Sequence, residues 1–214
     1  MIRPIALASI ISVLTATGAA HAETKSLIVA GGCFWCVEKD FEHVDGVIEA
    51  TSGYAGGELA NPTYRNHGRH REVVRIDYDS NVTDYKTLVD VFLRTIDPTD
   101  PGGQFCDRGR SYSTAIHAFT PEEMSLAEQA VAEGETVLGQ TIVTPVEGAV
   151  RFWEAEEYHQ NYYKSQVPRL TRFGAITRAD AYVRYRQACG RDQRVRQLWG
   201  DAAYIGVSHA QKGS

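Results

Sequence analysis

Six consecutive residues, Gly31-Gly32-Cys33-Phe34-Trp35-Cys36, hold the chemistry most easily read from this chain. Leu27 to Ala30 is a short apolar run that reads as a strand, and Cys33 to His43 places Phe34, Val37 and Phe41 at helical spacing. Cys33 therefore falls at a strand-to-helix junction, where unpaired N–H groups and the helix dipole favour a thiolate, the nucleophilic form. Gly31 and Gly32 let the backbone bend sharply and leave the sulfur accessible. Phe34 and Trp35 put two large apolar side chains beside it, which suits a substrate with a small apolar group next to a reactive centre.

The same spacing has other readings. Cys33-x-x-Cys36 is also the spacing of a dithiol redox pair, which makes a thiol-disulfide oxidoreductase using Cys33 and Cys36 the alternative enzyme. In that motif the Trp usually precedes the first Cys, whereas Trp35 lies between the two. Cys33 and Cys36 are also half of a zinc site that His67 and His70 would complete, giving a metal-stabilised binding module. The two-residue gap between those histidines is shorter than zinc sites use.

These residues need a scaffold. Strands are expected over Val47–Tyr54, Val73–Tyr78, Ala115–Phe119 and Thr141–Val146. Helices are expected over Tyr85–Ile96, from Thr120-Pro121-Glu122-Glu123 to about Glu133, and over Ala155–Tyr163. Residues 97–111 read as a structured loop. The order β-α-β-β-α-β-α-β does not alternate as a doubly wound parallel sheet would. The expectation is an α+β fold: a two-layer mixed β-sheet with helices, a ferredoxin-like split βαβ core, and a C-terminal extension.

Composition sets the outer bounds. The chain has 214 residues, 43% hydrophobic and 23% charged, which is globular rather than disordered. A net charge of −5 argues against a nucleic-acid partner. Four cysteines are too few for a disulfide scaffold. Residues 1–22 read as a signal peptide: a positive start, an uncharged apolar stretch from Ile5 to Ala20, and Ala20-His21-Ala22 as a cleavage site. Cleavage after Ala22 would release an exported, periplasmic protein with no membrane attachment. The remainder divides into a domain over 23–168 and a basic extension over 169–214 that carries Cys189. Residues 169–196 hold eight Arg, against nine Glu over 122–157, so the extension is expected to be solvated, partly helical and wrapped over an acidic body.

Gly31-Gly32-Cys33-Phe34-Trp35-Cys36 resembles the active-site signature of A-type peptide methionine sulfoxide reductases, in the subgroup with the second Cys. Further blocks follow in the family order: Gly53-Tyr54-Ala55-Gly56-Gly57, Asn61-Pro62-Thr63-Tyr64, His70-Arg71-Glu72-Val73-Val74, the loop from Asp97 to Gly109 before Ser111-Tyr112, and Ala155-Glu156-Glu157-Tyr158-His159-Gln160. The resemblance implies reduction of the S epimer of methionine sulfoxide, free or in proteins. Cys33 would be the nucleophile and Glu72 the acid that protonates the sulfoxide oxygen. Tyr64 and Tyr112 would bind that oxygen, and Asp107 would hold the site and the substrate backbone. Phe34 and Trp35 would form the walls around the S-methyl group, with His159 beside them. Attack by Cys33 would leave a sulfenic acid that a second thiol converts to a disulfide. Many members carry a Cys soon after the tyrosine of the Asn-Pro-Thr-Tyr block, where this chain has only the short basic stretch Arg65 to Arg71, so the resolving candidates are Cys189, Cys36 and Cys106. No cofactor motif is present, and a thioredoxin-like reductant would restore the thiols.

Overall fold

A computed structural model describes residues 23–171 and 174–208; the signal peptide read from residues 1–22 lies outside the described residues. Strand β1 (Thr24–Ala30) leads into helix α1 (Phe34–Phe41), then β2 (Val47–Ala55), β3 (Arg71–Asp79) and helix α2 (Tyr85–Leu93). Both β1 and β2 pair antiparallel with β3. They are therefore parallel to each other with β3 between them, which is the split βαβ arrangement. Residues 97–111 contain a small hairpin, β4 (Gly103–Gln104) with β5 (Asp107–Arg108). Strand β6 (Ala115–His117) then joins the free edge of β1, antiparallel to it.

Helix α3 (Pro121–Leu138) starts at a capping box between Thr120 and Glu123 and ends at Gly139 in a left-handed conformation. It runs past the expected end near Glu133. Gly134 does not stop it, because that glycine sits where Ile142 packs against the helix backbone. Strand β7 (Val146–Glu147) adds to β6 in parallel, and β8 (Trp153–Glu154) adds to β2. The finished sheet is mixed and six-stranded, in the order β7-β6-β1-β3-β2-β8. The expected α+β, ferredoxin-like core is thus present, with one short strand added at each edge.

Side-chain alternation divides the sheet. Leu27, Val29, Val74 and Ile76 face the helices and pack with Val37, Phe41, Leu88 and Phe92 in the main core. Ile28, Ala30, Val73 and Ala115 face the other way, under Val150 and Phe152.

Two expectations fail locally. Thr141–Val146 is not a strand; only Val146 and Glu147 pair. The residues before them satisfy their backbone elsewhere: Ile142 N–H donates to the Glu135 carboxylate and Val143 N–H to the Pro98 carbonyl. Nor is Ala155–Tyr163 an α-helix. It forms two short 3₁₀ turns, Glu157–His159 and Tyr162–Lys164, separated by Asn161 at a φ of 54°. Between them Gln160 bonds through its side-chain amide to both the N–H and the carbonyl of Ser52, each at 2.9 Å, and so pins the segment to β2.

The C-terminal segment differs most from its composition. A hairpin, β9 (Pro168–Thr171) with β10 (Gly174–Thr177), leads to α4 (Arg178–Ala188) and α5 (Arg191–Trp199). Val195, Trp199, Tyr204 and Val207 belong to the main core. Arg186 and Arg191 are buried rather than solvated, at 7% and 2% exposure. Burial is possible because Arg186 meets Asp40 of α1 at 3.0 Å and Asp192 at 2.7 Å. Cys189, at the end of α4, is disulfide-bonded to Cys106, which lies between β4 and β5, across 83 residues of sequence.

Candidate active site

Strand β1 ends at the glycine pair, and the packing there admits no side chain. A Cβ on Gly31 would lie 2.8 Å from Val37 and 2.9 Å from Phe92. Gly32 adopts a φ of +83°, and a Cβ there would lie 2.6 Å from Gln104. The turn delivers Cys33 to the N-cap of α1, where its carbonyl accepts from the Cys36 N–H at 3.0 Å. The Cys33 sulfur thus stands where the first-turn N–H groups concentrate positive potential.

Glu72 comes from the start of β3, one strand away. The alternation that sends Val73 to the far face sends Glu72 to the helix side, where it is 2% exposed. Its carboxyl accepts the Phe34 N–H at 3.0 Å. Burial pushes its pKa up, against that hydrogen bond, to about 8. The carboxyl is therefore protonated at neutral pH. Beside it, Arg71 holds the strand end with two 2.8 Å bonds to Glu147.

The aromatic wall is built from four segments. Trp35 stacks on Tyr162 at 3.8 Å between ring centres and donates its indole N–H to His159 Nδ1 at 3.2 Å. Tyr64 is positioned by its backbone N–H on the Glu156 carboxylate, which also accepts the Tyr54 hydroxyl. The loop carrying Tyr64 and the 3₁₀ turn carrying Tyr112 (Arg110–Tyr112) are joined by a His67–Ser111 hydrogen bond of 2.9 Å. Burial pushes the Tyr64 hydroxyl up to about 12 and raises Tyr112 further, so both remain proton donors at neutral pH.

These side chains enclose one small cavity of about 50 Å³. Its lining is Cys33, Phe34, Trp35, Tyr64, Glu72, Asp107, Tyr112 and Tyr185. Seven of the eight are residues the sequence had singled out. A buried thiol, a carboxyl with a raised pKa and two phenols converge on this space.

Comparison with known proteins places this arrangement. The family model described as peptide methionine sulfoxide reductase matches residues 25–201. The chain belongs to the peptide methionine sulfoxide reductase family. It is 52% identical over 190 residues to peptide methionine sulfoxide reductase MsrA 2 of Rhizobium meliloti, covering 88% of this chain and 90% of that one. It is 42% identical over 200 residues to MsrA 2 of Caulobacter vibrioides, covering 90% and 95% respectively. Among solved structures, the reduced form of Mxr1 from Saccharomyces cerevisiae matches with a TM-score of 0.61 at 27% identity, covering 71% of this chain and 91% of that one.

Within this reductase the four cysteines sort into two pairs. Cys106 and Cys189 are bonded to each other, while Cys33 and Cys36 are both free and buried. The two free thiols share a hydrogen bond. The expected accessible thiolate at Cys33 is not what the structure holds: burial raises Cys33, and the neighbouring Cys36, Glu72 and Asp107 raise it further. Burial acts on Cys36 in the same sense, but the Cys33 hydrogen bond and the Arg191 and Arg186 guanidinium groups outweigh it and hold Cys36 near 7. Any negative charge on the pair therefore resides on Cys36, with Cys33 donating to it.

The remaining candidates have other partners. His159 does not line the cavity; it backs Trp35, and burial lowers it to about 4, leaving the imidazole neutral. His70 accepts from the Gly57 N–H and donates to the Leu59 carbonyl, and His67 is bonded to Ser111. Both are occupied in shaping the Tyr64 loop. Among the described residues no group of three metal-ligating side chains occurs. The sequence alone assigns no role to Tyr185, Arg191 or Glu156. One signal for Tyr185 was available: it stands four residues before Cys189 and three after Tyr182, on one face of a helix.

Proposed function

We propose that the protein reduces the S epimer of methionine sulfoxide, free or within proteins, to methionine. The observation that carries this reading is the protonated Glu72 carboxyl in the cavity that also holds Cys33. A sulfoxide sulfur is a poor electrophile until its oxygen is protonated. Glu72 supplies that proton while Tyr64 and Tyr112 donate hydrogen bonds to the same oxygen. Phe34 and Trp35 hold the S-methyl group.

The steps balance as follows. Cys33 passes its proton to the Cys36 thiolate and attacks the sulfoxide. The substrate S–O bond breaks, its oxygen with the Glu72 proton goes to the Cys33 sulfur, and methionine leaves. Cys33 is oxidised to a sulfenic acid and the substrate is reduced. Cys36, the free thiol one helical turn away, then attacks the Cys33 sulfur. Hydroxide leaves with the Cys36 proton as water, and a Cys33–Cys36 disulfide remains. A dithiol reductant of the thioredoxin class exchanges with that disulfide and restores both thiols.

The uncharged stretch ending in Ala20-His21-Ala22 supports export, with cleavage after Ala22, and the Cys106–Cys189 disulfide suits an oxidising compartment. In the periplasm the enzyme would repair oxidised exported proteins. Protein recovered from that compartment is expected to begin at Glu23; a retained Met1 would contradict export.

The deciding experiment is turnover of the separated S and R epimers of a blocked methionine sulfoxide with dithiothreitol, for wild type and Cys33→Ser. S-specific turnover, lost in the variant, is expected. Turnover of neither epimer, with disulfide reduction that survives Glu72→Gln, would instead favour a thiol-disulfide oxidoreductase using Cys33 and Cys36.

A further inference from the structure

The eighth residue of the cavity, Tyr185, comes from α4 in the C-terminal extension. Its hydroxyl donates to Oδ2 of Asp107. Among the described residues it is the only hydrogen-bond partner of that carboxylate. The Tyr185 ring stands edge-on to Trp35, with centroids 6.5 Å apart and an interplanar angle of 83°. One face of the residue thus supports the aromatic wall while its hydroxyl fixes the carboxylate opposite.

The connection is doubled by a covalent one. Cys106 precedes Asp107 in the hairpin, and Cys189 follows Tyr185 by one helical turn, with its N–H on the Tyr185 carbonyl at 3.0 Å. Asp107, Cys106, Cys189 and Tyr185 therefore close a ring through one disulfide and one side-chain hydrogen bond. The hairpin itself is held narrow: a Cβ on Gly103 would lie 2.2 Å from the Asp107 carbonyl oxygen.

We infer that Tyr185 is a positioning residue for sulfoxide reduction: it holds Oδ2 of Asp107 so that Oδ1 is presented to the backbone N–H of a bound methionine sulfoxide, and the Cys106–Cys189 disulfide fastens the two. The inference rests on the sulfoxide reading of the cavity. It gives the disulfide a role in substrate binding that is separate from the redox chemistry of Cys33 and Cys36. It also makes the extension a part of the site.

The test is a double-mutant cycle on KM and kcat for a blocked S-methionine sulfoxide, comparing wild type, Tyr185→Phe, Asp107→Ala and the double variant. Phe keeps the ring against Trp35 and removes only the hydroxyl. Losing one hydrogen bond to a charged group should raise KM about tenfold and leave kcat within about twofold. In the Asp107→Ala background the same substitution should change KM less than about twofold, because the partner is already gone. A purely structural tyrosine would add its effect in both backgrounds, and additivity overturns the inference. So does a Tyr185→Phe enzyme with wild-type KM. A third arm, Cys106→Ser with Cys189→Ser, should raise KM in the same sense, and an unchanged KM removes the disulfide from the proposal. Wild-type protein inactive on both epimers would instead refute the sulfoxide reading itself.

Discussion

The backbone N–H of Phe34 donates to the Glu72 carboxyl at 3.0 Å. This bond ties the residue after Cys33, on α1, to Glu72 on β3. Glu72, Cys33 and the aromatic wall are thereby referred to one backbone frame, as the proposed proton transfer and sulfur attack on adjacent substrate atoms require. The amide also opposes the rise in the Glu72 pKa that burial causes, and settles it near 8 instead of higher.

Glu72→Gln keeps an oxygen to accept the Phe34 N–H and removes the acidic proton. The first-turnover rate of methionine release should fall by about 10²–10⁴, the usual worth of a general acid. The wild-type rate should decline as pH rises through about 8, where Glu72 ionises. The Gln variant should lack that descending limb. Single-turnover rates measured across pH in both proteins check this.

The same carboxyl shapes stability. Its folded pKa lies above the ordinary glutamate value of 4.5, so the folded state binds the proton more tightly than the unfolded chain. Its contribution is complete below about 4.5 and is lost as pH rises to about 8. Glu38, held by the Ser52 hydroxyl and the Asn161 N–H and raised by burial to about 7, acts in the same direction. Glu72→Gln should therefore be more stable than wild type at pH 8 by roughly 2–4 kcal/mol, with the difference vanishing near pH 4.5. Urea denaturation at both pH values measures it.

Cys36→Ser should release one equivalent of methionine, more slowly than wild type, and then stop with an oxygen atom on Cys33. Mass spectrometry of the intact protein reads that adduct. Cys106→Ser with Cys189→Ser should still turn over repeatedly at saturating substrate. A single equivalent from the latter protein would transfer the resolving role to the outer pair.

Arg191 is buried; among the described residues its Nε and Nη2 have no hydrogen-bond partner, while Nη1 donates to the Gly31 carbonyl at 3.2 Å. Its guanidinium helps hold Cys36 near 7. Arg191→Met keeps most of the packing volume and removes the charge. The thiolate absorbance of the reduced protein, which should titrate near 7 in wild type, should shift upward by about one unit or more. An unshifted titration would assign the stabilisation to the Cys33 hydrogen bond and Arg186 alone.

Much of the fold was legible because its signals are local. The capping box at Thr120, the glycine pair after Ala30 and the alternating apolar residues of β3 each specify an element within a few residues. The segments misread are those whose backbone is satisfied from a distance. Gln160 bonds to β2 and so replaces the expected helix, and Glu135 and Pro98 take the N–H groups that would have made Thr141–Val146 a strand. Arginine content suggested a solvated tail because composition does not register Asp40, a buried carboxylate 146 residues away that accepts from Arg186.

The sequence by itself singled out most of the residues that line the cavity, since Cys33, Phe34 and Trp35 are contiguous and Glu72, Tyr64 and Tyr112 lie in recognisable blocks. It determined the split βαβ order as well, because strand and helix periods differ. Only the tertiary structure decided which cysteines pair, that Tyr185 completes the cavity and that two arginines stand behind Cys36. Tyr185 and Asp107 are 78 residues apart, and Cys106 and Cys189 are 83 apart. Contacts at such separations arise from the packing of α4 and α5 against the core, and no local pattern in the chain encodes which residues that packing brings together.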